Sequence, residues 1–197
     1  MIRIILLVFS VLTTCELYSQ QSDVPTLKID KPEGWYDNSN LDVLANLEKY
    51  EMEESQLRNL INSNRGSLPT HIYMKYNPVG YPGIIPTVQI NLRPNPNKEF
   101  ESFKKSMEQS MQQMSAVLTN FEVINELKEI KLDGRKAIHF LASFEMKLPD
   151  GSIDKIRSWT YAIPVGNYFY QVNFSDLYEK DDCEQIYKKL TESIKVK

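Results

Sequence analysis

Few side chains in this sequence can carry chemistry, and their spacing limits what they do. There are two histidines, His71 and His139, and two cysteines, Cys15 and Cys183. Each histidine stands alone in a strand-like segment, with no carboxylate or second histidine at ligand spacing. A zinc site needs about four ligands, commonly clustered as Cys or His pairs. The sequence therefore predicts no metal site and no cofactor. His139 lies four residues from Ser143 on one strand face, which is the sole hint of a small secreted hydrolase. No Gly-x-Ser-x-Gly elbow accompanies it. Cys183 falls on the apolar stripe of a predicted helix, where a cysteine is inert. The adjacent acids Glu53-Glu54 and Asp181-Asp182 point in different directions on a helix and read as helix starts. No glycine-rich phosphate loop is present.

Two groups remain as binding candidates. The first is the loop around Tyr81, Ile84 and Ile85, within Asn-Pro-Val-Gly-Tyr-Pro-Gly-Ile-Ile-Pro. Its prolines and glycines resist regular structure, and loops on a rigid scaffold often carry function. In the alternative, Ile84 and Ile85 tuck under a sheet edge. The second is Arg157, Trp159 and Tyr161, which share one strand face by their period of two. These residue types dominate interface energetics. If a helix covers that face, they are core and its rim.

The elements that must position these residues follow from periodicity. Residues 1–19 are an address. Arg3 precedes the apolar run of residues 4–12, and Leu17-Tyr18-Ser19 offers a small-residue cut, the order of a secretory signal peptide. The run is shorter than the roughly 20 residues a membrane span takes. A second reading makes Cys15 the lipidated first residue of a lipoprotein, with Leu12-Thr13-Thr14 before it. The chain is thus predicted to be exported, periplasmic or extracellular, and membrane-bound only if lipidated at Cys15. Cys183 has no intramolecular partner either way.

Residues 20–26 read as a flexible leader and residues 27–197 as one domain. Leu27 and Ile29 mark a short strand, ended by Pro32-Glu33-Gly34-Trp35. Residues 40–50 and 53–64 carry leucines at helical spacing. Residues 70–76 and 87–93 alternate as strands. Residues 98–118 form the strongest helix, with a stripe of Phe100, Phe103, Met107, Met111, Met114 and Leu118 that reads as core more readily than as an adaptable docking face. Five strands are predicted in residues 121–126, 128–132, 136–146, 153–163 and 168–174. Asp133-Gly134, Asp150-Gly151 and Gly166-Asn167 serve as turns. Residues 181–194 close the chain as a helix. Strand 136–146 is apolar on both faces, which predicts helices on both sides of the sheet.

This order of marks resembles the PsbP-like family: Pro32-Glu33-Gly34-Trp35, a long helix after a strand ending near Pro94, Leu132-Asp133-Gly134-Arg135-Lys136-Ala137, a two-hairpin meander, and a last helix ending Ser193-Ile194-Lys195-Val196. The resemblance implies an α+β fold, an α/β/α sandwich with a central, mostly antiparallel sheet. It also implies a docking or accessory role. The formal charge of −3 gives no general pull toward nucleic acid. The expectation is an exported, non-catalytic binding or accessory module for an envelope protein or a small ligand.

Overall fold

The computed structural model describes residues 25–39 and 53–197. The predicted signal segment, Cys15 and the predicted helix at 40–50 lie outside these residues. Nine strands and three helices are described. They are β1 (Leu27–Lys28), β2 (Tyr36–Asp37), α1 (Glu54–Ser63), β3 (Leu68–Met74), β4 (Thr87–Pro94), α2 (Phe100–Met114), β5 (Thr119–Leu132), β6 (Arg135–Lys147), β7 (Ile153–Val165), β8 (Tyr168–Leu177), α3 (Glu184–Ser193) and β9 (Lys195–Val196).

Seven strands form one antiparallel sheet in the order β2-β3-β4-β8-β7-β6-β5. The chain leaves the sheet after β4, passes through α2 to the far edge, and meanders back through β5, β6 and β7. Strand β8 then closes the sheet against β4, from Thr87 opposite Ser175 to Pro94 opposite Tyr168. Strands β1 and β9 form a separate pair, with Leu27 opposite Val196.

The turns follow from backbone chemistry. Asp133 (φ 48°) and Gly134 (φ 76°) both take the left-handed conformation that a type I′ hairpin requires. The Asp133 carboxylate also accepts the backbone N–H of Val196 at 3.0 Å, tying that hairpin to the C-terminal strand.

One face of the sheet holds the main core. Val88, Ile90, Leu92, Trp159, Tyr161, Ile163, Val172 and Phe174 lie beneath Leu57 and Ile61 of α1 and Tyr187 and Leu190 of α3. Trp35 folds back onto this core and meets the Tyr187 ring edge-on at 6.2 Å. The other face differs. Helix α2 buries only Phe103 fully, against Ile138, Ala162 and Phe169. Beyond that patch the face stays apolar on β6 and β7, with Phe140, Ala142 and Ile156 buried, but it is polar on β4 and β8. Arg93 donates to Gln171 at 2.7 Å, and Thr160 donates to Asn173 at 3.1 Å.

The predicted α/β/α sandwich is therefore overturned. The molecule is a large antiparallel sheet with short helices of 10, 15 and 10 residues among the described ones. A second helical layer needs an apolar floor, and the amides of β4 and β8 do not supply one. The α2 stripe is correspondingly shallow. Phe100 and Met107 pack at its margin, while Met111 and Met114 stay half-buried.

Strand β5 corrects a second expectation. The two strands predicted at 121–126 and 128–132 are one continuous strand. Its apolar residues Phe121, Ile124, Leu127 and Ile130 recur every three positions, a period that fits neither strand nor helix. The register explains it. Thr119 faces Glu145, Glu122 faces Ser143, Asn125 faces Leu141 and Lys128 faces His139. At each step three residues of β5 pass two of β6. The bulges break the two-residue alternation, so that Ile124 and Ile130 pack on the main core and Leu127 packs on the α2 side.

Candidate functional site

The row Arg157, Trp159 and Tyr161 lies beneath α3. The three residues are 8%, 7% and 8% exposed, so the free face that would make them a docking surface is absent. Arg157 donates to both carboxylate oxygens of Asp176, at 3.1 and 2.8 Å, and reaches Asp182 at 2.5 Å. Its guanidinium sits 4.2 Å from the Trp159 ring centre and 5.3 Å from that of Tyr178. Asp176 also accepts the backbone N–H of Cys183 at 2.8 Å. Burial works against the Arg157 charge, but Asp176 and Asp182 outweigh it and raise its pKa. The row therefore fixes the start of α3 to the sheet. Trp159 meets Tyr187 edge-on at 5.1 Å, and Tyr161 stacks on His139 at 4.3 Å.

The loop at 77–86 is placed differently. Tyr81 is 37% exposed and stacks on Tyr76 at 4.9 Å, with 12° between the rings. Ile84 and Ile85 are half-buried. The Tyr76 hydroxyl donates to Asp181 at 2.7 Å, and Asp181 also pairs with Lys75. Lys75 Nζ lies 3.7 Å from Cys183 Sγ. Burial pushes the Cys183 thiol pKa up, with Lys75 opposing.

His139 and Ser143 are not brought together. Four residues of strand separate them by about 13 Å. His139 Nδ1 lies 3.1 Å from the Thr160 carbonyl oxygen, which can only accept, so Nδ1 carries the proton. Burial lowers the His139 pKa. The hydroxyl of Ser143 is buried and has no hydrogen-bond partner among the described residues.

The structure assembles a third site that the sequence reading missed. A cleft of about 360 Å³ opens at one end of the sheet, where α1, the segment between β4 and α2, and the β7–β8 turn meet. Arg58 and Asn62 come from α1. Asn95, Asn97 and Lys98 come from the segment before α2. Gly166 and Asn167 form the turn, and Tyr168 starts β8. Asparagines staple these pieces together. The Asn95 N–H donates to the Asn167 carbonyl at 2.7 Å, and its side-chain oxygen accepts the Asn97 N–H at 3.1 Å. The Asn97 amide donates to Ser106 at 3.2 Å, and the Asn167 amide donates to Glu54 at 2.9 Å. The same Glu54 carboxylate accepts Arg58 at 3.0 Å. The Tyr168 hydroxyl lies close to Arg58 but makes no hydrogen bond of good geometry. Burial raises its pKa, Glu54 adds to the rise and Arg58 opposes it. A smaller hollow of about 210 Å³ adjoins the cleft and is floored by Phe100, Phe103 and Pro164.

In the sequence, Pro94-Asn95-Pro96-Asn97 marks only a break in the chain ahead of the long helix. Arg58, Asn62 and Asn167 carry no mark in the sequence, because only folding brings them within reach of that run.

The architecture places the chain in a fold class known from a bacterial envelope protein. LpqN, involved in cell envelope biogenesis of Mycobacterium tuberculosis, is similar with a TM-score of 0.52 at 13% identity, over 90% of this chain and 87% of LpqN. At that identity the likeness shows the fold. A Pseudomonas aeruginosa protein of unknown function is similar with a TM-score of 0.45 at 10% identity, over 62% of this chain and 78% of its own. A Bacteroides thetaiotaomicron protein is similar with a TM-score of 0.44 at 10% identity, over 87% of this chain and 45% of its own. No protein-family model and no curated protein matches the chain.

Proposed function

We propose that this protein is an exported, non-catalytic binding or accessory module of a bacterial cell envelope, and that it holds its ligand in the asparagine-lined cleft. The observation that carries the reading is the lining of that cleft. It offers two cations, four amides and a tyrosine, and neither His, Cys nor Ser is among the lining residues. Such a set can grip and orient a ligand, and its own hydrogen bonds hold the walls in place before binding. Residues 1–19 support export. The fold shared with LpqN supports an envelope setting. The PsbP-like layout of the sequence supports an accessory role. The loop at Tyr81, Ile84 and Ile85 serves as a second contact surface for an envelope partner.

Cell fractionation with mass measurement of the mature N-terminus tests the proposal. The expected product lies outside the cytoplasm and begins at Gln20, or at a lipid-bearing Cys15 in the membrane fraction. A cytoplasmic product retaining Met1 overturns it.

A further inference from the structure

We infer that the cleft binds a sugar carrying an anionic group, carboxylate or phosphate, an inference that deepens the binding-module reading above and rests on it. Charge is the first reason. The ionisable residues of the lining that are charged at neutral pH are Arg58 and Lys98, both cations, on a chain whose formal charge is −3. Lys98 has no ion pair among the described residues. Arg58 shares the exposed Glu54 carboxylate with Asn167, which leaves donors of its guanidinium uncommitted. A positive concavity on an acidic protein concentrates anions.

Hydrogen-bonding capacity is the second reason. The Asn62 side chain is uncommitted among the described residues. The side-chain oxygens of Asn97 and Asn167 remain free while their NH₂ groups hold the walls. Amides both donate and accept, as sugar hydroxyls do. Size and wall chemistry are the third. About 360 Å³ lies near the lower end of the range for small-molecule pockets, and exceeds what a bare anion fills. The lining contains no Leu, Ile, Val or Met, and its apolar surface comes from Pro94, Pro96 and Tyr168 beside the amides.

Titration of the ¹⁵N-labelled protein tests this, with D-glucuronate, glucose 6-phosphate, glucose and inorganic phosphate as probes. D-glucuronate or glucose 6-phosphate is expected to shift the side-chain amides of Asn62 and Asn97. Saturation should come at about tenfold lower concentration than with glucose or inorganic phosphate. Whichever of the two anionic sugars saturates first identifies the anionic group. Lys98→Ala and Asn62→Ala should each weaken binding about tenfold. Both positions are exposed, so the melting temperature should hold, and Lys98→Arg should restore binding. Absence of shifts with all four probes overturns the inference. So does inorganic phosphate binding as well as the anionic sugars. A cytoplasmic product in the fractionation breaks the export reading alone and leaves these amide shifts intact.

Discussion

At the residue scale, burial decides what each reactive group does. Asp176 is fully buried and holds Arg157 and the first N–H of the α3 turn at once. Removing Asp176 takes away both of its bonds to Arg157 and leaves the buried Cys183 N–H without an acceptor, while Arg157 keeps Asp182 and Glu184. Asp176→Ala should therefore cost about 1–3 kcal/mol in denaturant unfolding. His139 gives a pH dependence with a definite sign. Its folded pKa lies below the unfolded value of about 6.5, because burial disfavours the imidazolium. As pH falls below about 6.5, the unfolded chain takes up a proton that the folded chain resists, so stability drops. His139→Gln should flatten that slope in melting curves taken between about pH 5 and 8. Cys183 is 1% exposed, and burial raises its thiol pKa. Iodoacetamide should label it slowly in the native protein and rapidly in denaturant. Equal rates would remove the buried placement.

At the element scale, strand β5 and its hairpin show how local chemistry guards a sheet. Strand β5 is an edge, and its outer positions carry Glu126, Lys128 and Lys131. Charges and bulges on an edge block pairing with a second chain. Replacing Glu126 and Lys131 together by Thr should raise light scattering on storage. The melting temperature should barely move, since exposed changes of this kind stay within about 0.5 kcal/mol. The Asp133–Gly134 turn needs positive φ at both positions, so Gly134→Ala should destabilise by about 1–2 kcal/mol in thermal unfolding. The sequence marked this turn, because Asp-Gly has a strong local signal. It did not mark β5 as one strand, because a period of three has no meaning until the register with β6 is known.

At the scale of the whole molecule, β8 ties the two halves together. It pairs with β4 on one side and β7 on the other, and Phe174 lies under Tyr187 with ring centres 5.0 Å apart. Amides of β7 and β8 should exchange most slowly with deuterium, at rates set by global unfolding, while β5 exchanges sooner. Faster exchange in β8 than in β5 would contradict this order of stability.

The sequence by itself determined the local alphabet. Alternation in 70–76 and 87–93, the strand-like runs at 136–146 and 153–163, Asp-Gly and Gly-Asn turns, and the leucines of residues 53–64 each report a short-range preference. The structure repeats all of them. Tertiary structure decided what each stripe faces. Arg157, Trp159 and Tyr161 look the same in sequence whether solvent or α3 lies above them, and α3 does. Helices on both faces are expected from the two apolar faces of β6 and from the PsbP-like layout. The polar side chains of β4 and β8 limited the second layer, a fact visible only once β8 paired with β4. The candidate site depended on tertiary structure even more. Its walls join Arg58, Asn95 and Asn167 across more than a hundred residues of sequence. Hydrogen bonds between such distant groups form only after the sheet has brought them together, so no periodicity or motif announces them.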